Sequence, residues 1–371
     1  MRVDAFEYEL PADLIAQQPL PERDLARLMV LQAGAAAVAH RKVSDLPDLL
    51  DRGSVLVVND TRVVPARIFG RKRTGGRVEW LLVERRGPGE IRESSGELRA
   101  GEVWRALGKG LGPGEPGTTF EVLARDSSDE EAAPLRLTLL GRLNDDGLRE
   151  VLLWTPAGSP VRDSLEACGH VPLPPYIKRS DVTEDFSRYQ TVYARVDGAI
   201  AAPTAGLHLT HPILGRLAAK GCEVASLTLH VGLGTFKPVQ ALDLDQHAMH
   251  AEAFDVPERT VAAVARARAR GAPVVAVGTT SVRALESAAD PERLGHVRAT
   301  SGETRILIQP GHPWRVVDAL LTNFHQPRST LMALVCAFAG TERVLAAYRA
   351  AVRERYRFFS YGDAMLLRRD R

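Results

Sequence analysis

The hydrophobic period of this chain changes twice, and that change limits its possible folds more than any other feature. Residues 55–58 form a continuous, valine-rich apolar run that ends at Asn59-Asp60-Thr61. Such a run, with no polar alternation, predicts a strand buried on both faces. From Arg62 to Trp154 the pattern becomes short alternating runs at 63–68, 78–83, 103–107, 118–123, 135–140 and 148–154. Gly- and Pro-rich turns separate them and no helical period appears, which predicts a small antiparallel β-barrel. The acidic stretch at 126–131 reads as a solvated loop between two of its strands.

On either side the pattern is one of helices and strands in alternation. Helices are expected at 11–17, 44–53, 164–168, 211–220, 258–270, 281–287, 331–339 and 342–355, with Gly221 and Gly271 as stops. Strands are expected at 28–31, 224–231, 274–278 and 305–308. The fold class is therefore α/β, a largely parallel sheet with flanking helices and an inserted β-barrel. The expected division is a discontinuous α/β catalytic domain, 1–61 and 155–371, with the barrel at 62–154. A chain of 371 residues is long enough for two such cores.

A net charge of +2 excludes a generally basic nucleic-acid binder but leaves room for a local basic face. The three cysteines, Cys168, Cys222 and Cys336, have neither metal-ligand nor disulfide spacing, as in a reducing compartment. The first residues carry acids and no apolar run, and 331–339 is too short to span a bilayer. The expectation is a cytoplasmic monomer.

Several polar segments follow predicted strands, where open α/β sheets bind ligands. In GTTSVRALES (278–287), Thr279, Thr280 and Ser281 open a helix whose free N–H groups suit a carboxylate or phosphate, and Arg283 adds a fixed charge. The plainer reading is a capped helix with a surface arginine. APTAGLH (202–208) brings Thr204 and His208, and HVGLGTF (230–236) brings His230 and Thr235. Neither is a G-x-G-x-x-G fingerprint, so dinucleotide binding is unsupported. In HAMHAE (247–252), His250 and Glu252 suit polar site contacts better than a metal, since no further ligands are placed. The segment 318–330 gathers Asp318, Asn323 and His325, which suit proton transfer if a cleft joins them. Aromatics and arginines interleave at 356–365, where Arg357 and Tyr361 suit stacking and phosphate contact. Small basic clusters at Arg67, Arg71, Lys72 and Arg73, and at Lys178-Arg179, suit an RNA backbone or a solvated face. These residues point to a ligand with an anionic group, but not to one reaction.

Read in order, these motifs, with NDTRVVPARIFG (59–70), PLPPYIKR (172–179), RYQTVYA (188–194), TNFHQPRSTL (322–331) and YRFFSYGDAM (356–365), closely resemble the queuosine-pathway ribosyltransferase-isomerase family. The resemblance runs essentially end to end. Leu209, Ala251 and Gln326 depart from the residues usual in that family. It implies that S-adenosylmethionine serves as co-substrate and ribosyl donor, with no prosthetic group and no metal. The implied acceptor is 7-aminomethyl-7-deazaguanine at the wobble position of tRNAs with GUN anticodons. The implied products are epoxyqueuosine in tRNA, adenine and methionine. Such chemistry needs a base, a donor to the departing adenine and a clamp for the methionine carboxylate. His208, His230 and His325 are the candidate acid–bases, with Asp60 or Asp318 to orient one of them. The 279–281 helix start with Arg283 is the candidate clamp. Arg62, Thr204, Thr235, His250, Glu252 and Asn323 are further candidate substrate contacts. Arg67, Arg71, Lys178, Arg179, Arg357 and Tyr361 are the candidate tRNA contacts. The alternatives are a non-catalytic tRNA-binding relative and an S-adenosylmethionine-dependent RNA methyltransferase.

Overall fold

The structure, a computed structural model, describes the chain except for residues 33, 35–37, 94–95, 112–113, 126–131, 142–143, 145–146, 233–240 and 370–371. The acidic stretch at 126–131 and the candidate contact Thr235 lie outside the described residues. Strands β1 (Arg27–Leu31) and β2 (Ala39–Lys42) lead to helix α1 (Leu46–Leu49), β3 (Val55–Asn59) and β4 (Thr61–Val63). Next come β5 (Arg67–Arg71), β6 (Arg77–Arg92), β7 (Leu98–Lys109), β8 (Thr119–Leu123), β9 (Ala132–Leu139) and β10 (Arg149–Trp154). The remainder runs α2 (Val161–Cys168), α3 (Asp185–Arg188), β11 (Val196–Ala199), α4 (His211–Ala219), β12 (Glu223–Leu229), β13 (Glu252–Val256), α5 (Glu258–Ala269) and β14 (Val274–Val277). It ends with α6 (Thr279–Ser287), β15 (Thr300–Thr304), β16 (Ala319–Asn323), α7 (Thr330–Ala339), α8 (Thr341–Arg353) and β17 (Ala364–Arg368).

One nine-stranded sheet organises the molecule, in the order β15-β13-β12-β3-β14-β16-β17-β1-β2. β3 lies inside it and is buried along its whole length. Val55 and Val57 enter one core and Leu56 and Val58 the other, so both faces need apolar side chains and the run cannot alternate. The expected largely parallel sheet is corrected to a mixed one. β12–β3, β3–β14, β14–β16 and β17–β1 are parallel, whereas β15–β13, β13–β12, β16–β17 and β1–β2 are antiparallel. The parallel block is the centre, where helices cover both faces. Antiparallel pairs dominate outside it, with β17–β1 the parallel exception, and β13 alternates buried and exposed residues. β17 enters reversed after α7 and α8 have carried the chain out and back.

The expected strand at 305–308 is also corrected: the strand is β15, and residues 305–308 leave the sheet edge. Arg283 Nε donates to the Ile306 carbonyl, which therefore serves a side chain instead of a ladder. The two edge strands of the sheet are short and polar. β2 reads AHRK and β15 reads TSGET.

Strands β5–β10 close on themselves in the order β10-β7-β6-β5-β8-β9, antiparallel throughout. Ile68, Trp80, Leu82, Phe120, Leu137 and Val151 share its interior. At 16 and 12 residues, β6 and β7 are long for strands, and their pairing continues to Arg92↔Leu98. Gly101 passes directly beneath β10: a Cβ there would overlap the Leu153 carbonyl and lie 2.9 Å from the Trp154 Cβ. Gly101→Ala should therefore destabilise the protein by about 1–3 kcal/mol, read as a lower denaturation midpoint. An unchanged midpoint would mean that β7 and β10 do not approach this closely.

Candidate functional site

A large cleft lies beyond the carboxyl ends of β12, β14 and β16 and encloses about 1480 Å³, counting the solvent at its mouth. Gly278 ends β14 with φ of +87°, a conformation that strongly favours glycine. Its N–H donates to the Leu321 carbonyl at 2.8 Å, fastening the start of α6 to β16. Thr279 and Thr280 then face the cleft. The leading N–H groups of a helix have no carbonyl within it to bond, so they present donors and a positive dipole end. Ser281 takes no part: it is fully buried, and its hydroxyl donates to the Val277 carbonyl at 2.8 Å. The expected capping there gives way to the positive φ of Gly278.

Arg283 is 7% exposed and lines the cleft. Its Nη1 pairs with Glu252 and its Nε with Ile306, while its buried Nη2 has no partner among the described residues. Glu252 is 5% exposed and also accepts from the Gly232 N–H at 3.2 Å. Its carboxylate holds Arg283, so it is a support for the cleft wall. Thr204 and the exposed His250 line the cleft as well.

Asn323, at the end of β16, is 2% exposed. Its Nδ2 faces His208 Nε2 at 3.1 Å, the Phe359 carbonyl at 3.1 Å and the Asp363 carbonyl at 3.4 Å. His208 itself is buried and borders a smaller pocket behind, with Arg23, Arg188 and Tyr361. Burial pushes its imidazole down to about 4, against an opposing hydrogen bond to the Arg23 backbone. His325 does line the cleft. Its Nε2 lies 2.7 Å from the Thr322 hydroxyl, and its backbone N–H and carbonyl are held by Tyr348 and Tyr8. Burial pushes its imidazole down to about 4 as well, so it is neutral at physiological pH.

His230 and Asp60 belong to a second polar group, between β3, β4, β11 and β12. The Asp60 carboxylate accepts from Thr228 at 2.7 Å and from Arg195 at 2.8 Å. His230 Nδ1 lies 2.8 Å from the Thr61 hydroxyl, and burial pushes its pKa down although Asp60 and Asp197 pull it up. A Cβ on Gly198 would come within 2.9 Å of its ring, so only glycine lets β11 pass this close. Arg62 pairs here with Asp197. Neither Asp60, Arg62 nor His230 lines the main cleft, although Val231 does.

The proposed orienting role of Asp318 is corrected. It precedes β16 at the opposite end from Asn323, pairs with Arg268 at 2.6 Å and accepts the Val274 N–H at 2.8 Å. It staples β14 to β16 at the far side of the sheet. Among the candidate tRNA contacts, Arg179 and Tyr361 are turned inward onto one carboxylate. Arg179 binds Asp185 at 2.6 and 2.9 Å, and the Tyr361 hydroxyl donates to Asp185 at 2.8 Å. Arg357 donates to the Gln18 carbonyl and is partly buried, and Arg67 pairs with Glu79 at 2.8 Å. Lys178 is exposed, and Arg71 ends β5.

Several residues in or around the cleft were not among the candidate contacts. Tyr176, whose hydroxyl lies 2.6 Å from that of Ser360, and Phe359 both line it. Asn59 ties its walls together: Oδ1 accepts from Leu229 N–H at 3.0 Å, and Nδ2 donates to the Leu229 carbonyl at 2.8 Å and to Thr280 at 3.2 Å. Each lies within a quoted motif, but a sequence motif does not say which member faces inward. Among the described residues, no group of three or more His, Cys, Asp or Glu side chains is placed to hold a metal ion.

A family profile described as "Queuosine biosynthesis protein" matches residues 3–367. The chain belongs to that family. It is 54% identical to the S-adenosylmethionine:tRNA ribosyltransferase-isomerase of Sorangium cellulosum, covering 99% of each chain. It is 51% identical to the enzyme of that name from an Anaeromyxobacter species, covering 100% of this chain and 99% of that one. A crystal structure of S-adenosylmethionine tRNA ribosyltransferase from Thermotoga maritima is 34% identical, with a TM-score of 0.52 over 98% of this chain and 99% of that one.

The buried state of His208 has a measurable consequence within this family member. Unfolded, the imidazole titrates near its ordinary 6.5; folded, it stays neutral down to about 4. Protons therefore favour the unfolded chain as pH falls through that window, costing up to about 1.4 kcal/mol per pH unit. Denaturant melts between pH 7 and 4.5 should show a shallower loss of stability for His208→Gln than for the wild type. Parallel curves would show that His208 is not desolvated.

Proposed function

We propose that this chain transfers and isomerises the ribosyl moiety of S-adenosylmethionine onto 7-aminomethyl-7-deazaguanine at the wobble position of tRNA. The tRNAs are those with GUN anticodons, for Asp, Asn, His and Tyr, and the products are epoxyqueuosine-tRNA, adenine and methionine. The observation that carries this reading is full-length similarity, above 50%, to two proteins bearing that enzyme's name. The cleft supports it by setting helix-start donors and an arginine near a neutral imidazole.

In this reading the methionine carboxylate meets the start of α6 and the unpartnered Nη2 of Arg283. The sulfonium acidifies the protons on the adjacent 5′ carbon, and His325, a cleft imidazole kept neutral by burial, takes the role of base. Loss of adenine opens the sugar to the aminomethyl nitrogen of the tRNA base. The epoxide closes as methionine departs. Thr204 and His250 line the same cleft and contact the remainder of the co-substrate. His230, next to Val231 of the cleft wall, and Asp60 remain candidate acid–base and orienting groups for the steps on the tRNA base. We assign 1–61 with 155–371 to the catalytic domain and 62–154 to an inserted barrel domain, in a cytoplasmic monomer without a prosthetic group. The exposed Lys178 contacts the anticodon stem-loop.

Incubation with S-adenosylmethionine and tRNA bearing the aminomethyl base should yield epoxyqueuosine, free adenine and methionine by mass analysis. S-adenosylhomocysteine as product would replace this reading with methyl transfer, and tRNA binding without conversion would replace it with a binding protein. The activity should also have no acid limb near pH 6.5, because His325 becomes protonated only as pH falls toward about 4. A kcat/KM profile bending near 6.5 in the wild type, and unchanged in His325→Ala, would assign the base elsewhere. Lys178→Ala should lower the salt slope of tRNA binding by about one; an unchanged slope would remove Lys178 from the interface.

A further inference from the structure

Asn323 is the cleft residue whose hydrogen bonding is most one-sided. Its Nδ2 end faces His208 Nε2, the Phe359 carbonyl and the Asp363 carbonyl. Its Oδ1 end is buried and has no partner among the described residues. Turning the amide over would set Oδ1 against two carbonyl oxygens, an arrangement without a proton to share. The orientation is therefore dictated by the groups behind it.

Those groups are themselves held. Phe359 has φ of +69°, a left-handed conformation that costs a bulky residue about 1–3 kcal/mol and persists only where its surroundings enforce it. Its N–H donates to the Phe324 carbonyl at 3.2 Å, and its own carbonyl accepts the Gly362 N–H at 2.9 Å as well as Asn323. The Asp363 carboxylate accepts the N–H groups of Arg27 and Arg357, each at 2.8 Å. With Asn323 Nδ2 fixed as a donor by the two carbonyls, the neutral His208 accepts at Nε2 and carries its ring proton on Nδ1.

The remaining unpartnered end is an acceptor in a wall that also offers unpartnered donors. Arg283 Nη2 and the first N–H groups of α6 belong to the same cleft. Asn323 stands on the strand next to β14, two residues beyond Leu321, whose carbonyl holds Gly278 at the root of α6. Donors and acceptor thus meet across a single pair of strand ends. A ligand group carrying an anion and a cationic N–H donor on one carbon is the complement of that pair, and an α-amino acid is such a group.

We infer that Asn323 Oδ1 accepts a hydrogen bond from the α-ammonium of the co-substrate's methionine moiety, and that His208 is a positioning residue that holds the Asn323 amide in the accepting orientation. This rests on S-adenosylmethionine being the ligand of the cleft. It removes His208 from the candidate bases, because its Nε2 is turned to Asn323 and its ring lies behind the cleft wall. It also explains why a buried histidine stands beside the site without reaching it.

The test is a binding comparison by calorimetry without tRNA, using three probes: S-adenosylmethionine, its analogue with hydrogen in place of the α-ammonium, and 5′-methylthioadenosine, which lacks the amino acid. Wild type should prefer S-adenosylmethionine over the desamino analogue by roughly 10- to 100-fold, the range of a hydrogen bond to a charged group. Asn323→Ala should reduce that preference to less than about threefold. His208→Ala should also erode it, and His208→Gln, which restores an acceptor, should recover part of it. Affinity for 5′-methylthioadenosine should stay within about twofold in all three variants, since it does not engage the acceptor. A preference that survives Asn323→Ala would overturn the assignment. So would a parallel loss of 5′-methylthioadenosine binding, which would place the contact at the adenosine or reveal collapse of the cleft. Absence of S-adenosylmethionine binding to the wild type would instead overturn the functional reading beneath it.

Discussion

The geometry of the cleft depends on the side chain of one buried asparagine. Asn59 lies at the end of the central strand β3 and spends both ends of its amide on its neighbours. One end takes the Leu229 N–H and the other gives to the Leu229 carbonyl, so the amide imitates one more rung of the ladder where β3 and β12 part. The same nitrogen reaches Thr280 in the first turn of α6. A buried polar group left unmatched costs about 1–3 kcal/mol, so the three partners are fixed together or not at all. A helix start and two strand ends are thereby held in one relation.

Elsewhere the protein uses buried carboxylates in the same manner. Glu286 accepts the N–H groups of Arg315, Val316 and Val317, each at 3.0 Å, and so shapes the approach to β16. Asp363 gathers two N–H groups, Asp318 takes one with an arginine, and Asp185 receives Arg179 and Tyr361. Each is an acid–base side chain by type and a structural tie by position. The cleft keeps ionisable groups of its own, among them His250, His325 and Arg283, and of these His325 is held neutral by burial.

Periodicity made the barrel strands, the buried β3 and the long helices legible, because burial on one face or two leaves a direct trace in the residue pattern. β13, β16 and β17 were harder. Their apolar residues sit inside stretches dominated by His, Asn, Arg and aromatics, and short apolar runs do not distinguish strand from helix. That is how a mixed sheet was read as a largely parallel one. For the site, motif and position on strand ends pointed to loops that line the cleft, including Thr279, Thr280, Arg283, Asn323 and His325. They did not say which way each side chain points. His208 and Asn323 are 115 residues apart, and which of the two faces the cleft is decided by packing from Phe359 and Asp363. Asp318 and Asn323 bracket one five-residue strand, and only the direction of β16 shows that they serve opposite ends of the sheet.

A nine-stranded open sheet has two free edges, each a row of unpaired amides able to recruit a strand from another molecule. Here the edges are β2, four residues with His40, Arg41 and Lys42, and β15, five residues of Thr, Ser, Gly and Glu. Neither offers an apolar side chain longer than a methyl group for a second chain to pack upon, and one carries like charges that repel its own copy. The sheet is thus insulated against growth: aggregation by edge pairing is discouraged at both ends, and the apolar strands that build the cleft stay at least two strands in from either edge.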